Sequence, residues 1–148
     1  MTEKRRPYYA DPTANAAIGK IMKEYKQKQK VISDRQREIR HRPKVYIVSR
    51  YAGDVKTNIR NARKYCRFAV GKKKNPLASH LLYPQFLDDN KAQEREIGLQ
   101  YGLALLKICD EVWCFGADMS EGMEKEIAAA RRKNKRIRYF TEDLEEIV

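Results

Sequence analysis

Glu126 is the residue of this 148-residue chain with the clearest chemical potential. It follows Gly116, Ser120, Gly122 and Met123 in the stretch GADMSEGMEKEI, where glycines and a serine precede a helix-forming run. Ser120 suits an N-cap, and the first turn it opens offers free N–H groups and the positive end of a helix dipole, an anion-accepting arrangement. Glu126 stands six residues further on, among alanines, with Ile127 and Ala130 expected to face inward. A glutamate there is either a solvated helix residue or a carboxylate held at a pocket mouth.

Other candidates are dispersed. The segment SRYAGD supplies Ser49, Arg50, Tyr51 and Gly53. Arg50 suits a phosphate or carboxylate, Tyr51 suits stacking on a base, and Gly53 permits close backbone approach. Asn58 lies one turn into the following helix. His80 is one of two histidines and can donate to a ligand oxygen or act as a general acid. Arg95 adds a further cation. G-x-G-x-x-G and Walker sequences are both absent, so neither a dinucleotide site nor a P-loop is expected, and nothing calls for a cofactor. Cys66, Cys109 and Cys114 are odd in number, match no zinc spacing and sit in apolar runs, so they read as reduced core residues, and no metal is expected.

The elements that would position these residues alternate. Pro43 precedes KVYIV (44–48), a continuous apolar run of the kind covered on both faces. Asp54 caps a helix carrying Val55, Ile59, Ala62, Cys66 and Ala69 inward and ending at Gly71. PLAS (76–79) is a second strand ending at His80, and LLYPQFLDD is irregular or a single helical turn. A helix from about Lys91 to Ile108 points Ile97, Tyr101, Ala104, Leu105 and Ile108 inward. EVWCFG (111–116) is the third strand, Ser120 to Asn134 a helix, RIRYF (136–140) the fourth strand, and TEDLEEIV a short helix capped by Thr141. This order predicts an α/β fold, a flavodoxin-like or Rossmann-like parallel sheet with helices on both faces. Ligands of such sheets bind beyond the carboxyl ends of the strands. The segments Ser49–Asp54, His80, Gly116–Glu126 and Thr141 all map there.

Residues 1–42 form a separate basic, amphipathic helical arm, and residues 43–148 the α/β domain. Asp11-Pro12 is a helix start, and Ala14, Ile18, Ile21, Tyr25 and Ile32 follow on one face. The stripe is expected to break at Lys28, with Ser33-Asp34 capping a second short helix. The formal charge is +12. Residues 1–42 hold 12 Lys+Arg against 5 Asp+Glu, and the remainder 20 against 15, so just over a quarter of the chain carries more than half of the excess. The unpaired stripe suggests an oligomer contact. The charge is compatible with nucleic acid, although no groove-reading motif accompanies it, so that partner is not favoured. No apolar run reaches a membrane span and the N-terminus lacks a signal-like core, so a cytoplasmic protein without a membrane partner is expected.

YIVSRYAGD, NIRNA, PLASHLLYPQFLDD, REIGLQYGLALLKICDEVWCFG and SEGMEKEIAAA together resemble the nucleoside 2-deoxyribosyltransferase-like superfamily, in particular its small phage and bacterial members. The resemblance spans about residues 43–140. It implies a nucleoside or nucleotide ligand, a homo-oligomer, and Glu126 in the place of the glutamate that attacks the anomeric carbon of the sugar. It also implies two acids that this chain lacks, since Ser120 and Gly102 stand at their positions. Leaving-group activation would then fall to His80, Glu94 or Asp88. Three functions remain open: a pocket that binds, sequesters or senses a nucleotide; an N-glycosidic hydrolase or transferase using Glu126; and association with nucleic acid through the arm.

Overall fold

In the computed structural model residues 11–148 are described, and they fall into two units, one ending at His41 and one spanning Arg42–Val148. The first unit is a single helix, α1 (Pro12–Arg40). Asp11 caps it as the sequence predicts, accepting a hydrogen bond from the Thr13 amide at 2.9 Å. The predicted break at Lys28 is absent. From Lys20 to Arg40 the run contains neither proline nor glycine and is rich in Lys, Gln, Glu and Arg, all good helix formers. Ser33 and Asp34 cost an established helix only about 0.5 kcal/mol each, too little to start a new one. None of the α1 residues is buried.

The second unit contains β1 (Lys44–Val48), α2 (Val55–Gly71), β2 (Asn75–Leu77), 3₁₀ turns at Ser79–Leu81 and Tyr83–Gln85, α3 (Ala92–Lys107), β3 (Glu111–Phe115), α4 (Glu121–Arg132), β4 (Arg136–Phe140) and β5 (Glu146–Ile147). Strand order is β2-β1-β3-β4-β5, with the first four strands parallel. Chain direction across the sheet switches between β1 and β3. Successive strand residues face opposite sides. Tyr46, Val48, Val112 and Cys114 pack with Leu106 of α3 and Met123, Ile127 and Ala130 of α4. Val45, Ile47, Trp113, Phe115 and Phe140 pack with Tyr65 and Ala69 of α2. The expected α/β sheet with helices on both faces is therefore present.

Three local expectations are corrected. The C-terminal segment is not a helix. Leu144 adopts φ 69°, the Thr141 amide donates to the Glu145 carbonyl at 2.8 Å, and β5 pairs antiparallel with β4. Arg138 grips Glu146 through two bonds of 2.7–2.8 Å, fixing a hairpin where eight residues are too few for an independent helix. Helix α3 is turned from its predicted face. Tyr101 and Ile108 are 51% and 61% exposed and Ala104 is also exposed, while Gly102 and Leu106 are buried. Gly102 faces the Tyr46 hydroxyl and Ser79, where a Cβ would make ordinary van der Waals contact at 3.4 and 3.5 Å, and Leu106 one turn on is fully buried, so these two residues mark the inward face. Finally, β2 stops at Leu77, so His80 sits within a 3₁₀ turn instead of at a strand tip.

Candidate active site

A cavity of about 530 Å³ lies in the second unit between the 3₁₀ turns, α3 and the start of α4, with Tyr46 of β1 contributing to its wall. Its inner end is chemically distinctive. Glu126 is only 6% exposed, and its Oε2 has no hydrogen-bond partner. Orphaned buried carboxylate oxygens are rare because desolvation penalises them heavily. Burial pushes the Glu126 carboxyl up from 4.5 to about 7, against a smaller downward pull from the Tyr46 hydroxyl. The Tyr46 hydroxyl is itself bound to Ser79 Oγ at 2.8 Å, both atoms being buried. Burial, then the charge of Glu126, raise the Tyr46 pKa well above its usual value. Tyrosine therefore stays protonated here and is available as a donor.

His80 Nε2 lies 3.7 Å from Glu126 Oε1. Burial lowers the His80 pKa, with the charge of Asp89 opposing. At neutral pH the pair thus consists of a neutral imidazole and a carboxyl near its own midpoint. Tyr51 stacks on the His80 ring, with centroids 4.9 Å apart and planes inclined by 14°. The Asn58 side chain holds this loop by donating to the Tyr51 and Ala52 carbonyls at 2.9 and 3.1 Å. Gly53, at φ 98°, makes the turn between them.

The sequence candidates are thus placed unequally. Glu126, His80, Arg95 and Gly122 line the cavity. Ser49, Arg50, Tyr51, Gly53, Asn58, Gly116, Ser120 and Met123 lie outside its wall. Met123 is packed in the core, Ser120 caps α4 by accepting from the Met123 amide at 3.2 Å, and Gly116 faces Glu142. Sequence reasoning missed Tyr46 and Ser79. The period-two alternation of KVYIV turns Tyr46 toward the α3–α4 side, and a tyrosine inside an otherwise aliphatic strand was the available signal. The outer part of the cavity is formed by residues including Leu87, Leu99, Asp89 and Asn90. Among the described residues no group of three or more His, Cys, Asp or Glu is placed to hold a metal ion.

The fold is similar to that of a solved 2-deoxyribosyltransferase. A 2-deoxyribosyltransferase from the psychrotolerant bacterium Bacillus psychrosaccharolyticus superposes with a TM-score of 0.57 at 15% identity, over 71% of this chain and 76% of that one. A 2-desoxiribosyltransferase from Leishmania mexicana is similar at a TM-score of 0.49 and 14% identity, over 67% of this chain and 64% of the other. By sequence, residues 43–140 match the family described as DUF7768, a domain of unknown function, and the chain belongs to that family. No curated protein matches it by sequence. Among the described residues no helix is long and apolar enough to cross a membrane.

Proposed function

We propose that the cavity binds a nucleoside or nucleotide, with the sugar against Glu126 and the base toward Leu87 and Leu99. The observation that carries this reading is the buried, unpartnered Oε2 of Glu126 at the inner end of a cavity of nucleoside size. A ligand hydroxyl reaching that oxygen would replace the water it has lost. Fold similarity to an enzyme described as a biocatalyst for nucleoside synthesis supports the choice of ligand class. Sequestering or sensing a nucleotide is the function most consistent with this site, because neither of the two expected acids is present. Ser120 is engaged as a cap, and Gly102 faces the Tyr46–Ser79 pair with no side chain of its own.

The His80–Glu126 pair supports a second reading, cleavage of an N-glycosidic bond. Ionised Glu126 would form a bond to the anomeric carbon as the carbon–nitrogen bond breaks. The bonding electrons would leave with the base, and the protonated imidazolium form of His80 would supply its proton and return to neutral imidazole. Water or a second base would then displace the carboxylate. A thermal-shift screen of nucleosides and nucleoside 5′-monophosphates, coupled to chromatographic detection of free base, separates the two readings. Ligand-induced stabilisation without base release supports binding. Base release abolished by Glu126→Ala supports catalysis. If no nucleoside or nucleotide stabilises the protein, both are wrong. In solution we expect an intracellular homo-oligomer, which sizing with light scattering tests.

A further inference from the structure

Because α1 runs without a break from Pro12 to Arg40, the azimuth of each side chain follows from about 100° of rotation per residue. Lys23, Lys26, Lys30, Arg37 and Arg40 then fall within an arc of about 100°. The acids of the helix, Glu24, Asp34 and Glu38, all lie outside that arc. Among the described residues neither Glu24 nor Asp34 forms an ion pair with any of the five cations. The helices of the second unit behave differently, since Lys91 and Lys125 are paired with Glu94 and Glu121 one turn away. The cations of α1 form a rail about 26 Å long, taking 1.5 Å per residue.

We propose that this face of α1 docks on the phosphodiester backbone of nucleic acid. Charge selects the partner. Residues 1–42 hold 12 Lys+Arg against 5 Asp+Glu, and a face of such excess positive charge attracts a polyanion. The apolar stripe of Ile18, Ile21, Tyr25, Ile32 and Ile39 lies on another side of the helix, about 130° from the middle of the rail, so the cations face a polyanion without it. A lipid surface, which would take the stripe and the cations together, is the alternative that the vesicle arm of the test separates. Contacts are to phosphates, without base reading, because between Lys23 and Arg40 the face carries flexible cations and Ser33 and no aromatic side chain.

The test uses the full-length protein and fluorescence anisotropy with a labelled 20-base-pair DNA duplex and a 20-nucleotide RNA. Five phosphate contacts predict that log Kd rises with log salt with a slope of about 4.5 for the duplex. The triple variant Lys23→Gln, Lys26→Gln, Lys30→Gln should lower that slope by about 2.7. Lys28→Gln, on the opposite face, should leave it unchanged, with circular dichroism verifying that α1 remains helical in both variants. Absence of binding in 50 mM salt overturns the proposal. So does an equal loss in the Lys28 control, or salt-sensitive capture by phosphatidylserine vesicles in place of nucleic acid. Because the cavity is lined by residues of the second unit alone, these outcomes are read independently of nucleotide binding there.

Discussion

Glu126→Gln tests the central feature of the site without needing a ligand. Glutamine keeps the shape of the side chain and removes its charge. In the folded protein the Glu126 carboxyl titrates near 7 instead of 4.5, so the fold prefers the protonated form. Below pH 4.5 the residue is neutral in both folded and unfolded chains, and the wild type loses nothing. As pH rises from 4.5 to 7 the unfolded chain ionises first, and stability declines until the folded carboxyl ionises too. The full loss is about 3 kcal/mol, at 1.36 kcal/mol per pH unit. Glu126→Gln does not titrate. Its stability relative to the wild type should therefore increase by about 3 kcal/mol between pH 4.5 and 8, on the order of 10 °C in melting temperature. Urea unfolding of both proteins across that range, followed through Trp113 fluorescence, measures the difference directly. A difference that stays flat with pH would mean that Glu126 is hydrated in the folded state, and the argument for an unpartnered buried carboxylate would be refuted.

Three further outcomes follow from the same geometry. Tyr51→Ala should uncover the His80 ring and raise its depressed pKa toward 6.5, whereas Tyr51→Phe should preserve the stack; with only two histidines in the chain, NMR titration resolves them, and an unchanged His80 in the alanine variant contradicts the positioning role of Tyr51. Gly102→Asp should destabilise the second unit by about 1–3 kcal/mol through crowding of Tyr46 and Ser79 and should abolish any ligand-induced thermal shift; a stable, ligand-responsive variant would show that α3 can move aside. Burial pushes the thiols of Cys66, Cys109 and Cys114 to about 11, so a disulfide reagent at pH 8 should react slowly with native protein and with three thiols after unfolding; rapid native labelling would refute their burial.

Most of the scaffold was legible because it rests on local patterns. KVYIV and EVWCF are apolar runs that only a doubly covered strand accommodates, and Asp54 and Ser120 cap α2 and α4 as predicted. What failed depended on partners distant in sequence. The inward face of α3 is the one that meets Tyr46 at Gly102, 56 positions away, and the final hairpin depends on Arg138 reaching Glu146 across two strands. The candidate site divides the same way. Glu126 and His80 were legible from element ends, but Ser49 and Arg50 were assigned by architecture alone, and the cavity forms on the α3–α4 side of the sheet instead of over their loop. Tyr46 escaped notice because its strand reads as core, and only the facing Ser79 gives its hydroxyl a purpose.

The two departures from the transferase-like pattern act together. An acid at position 120 would exchange the serine cap of α4 for another group, and an acid at 102 would press into the Tyr46–Ser79 pair. The wall around Glu126 carries the Tyr46 and Ser79 hydroxyls bound to one another, and one carboxylate oxygen is without a donor. That arrangement costs the empty protein about 3 kcal/mol whenever the carboxyl is ionised. A ligand that brings a hydroxyl or a partial positive charge to Oε2 recovers part of this energy on binding, and it also draws the Glu126 pKa back down. Binding near pH 7 should then release a fraction of a proton per site, measurable by titration calorimetry in buffers of different ionisation enthalpy. A ligand that binds without releasing protons occupies the cavity without touching Glu126, and the carboxylate would then have no part in recognition.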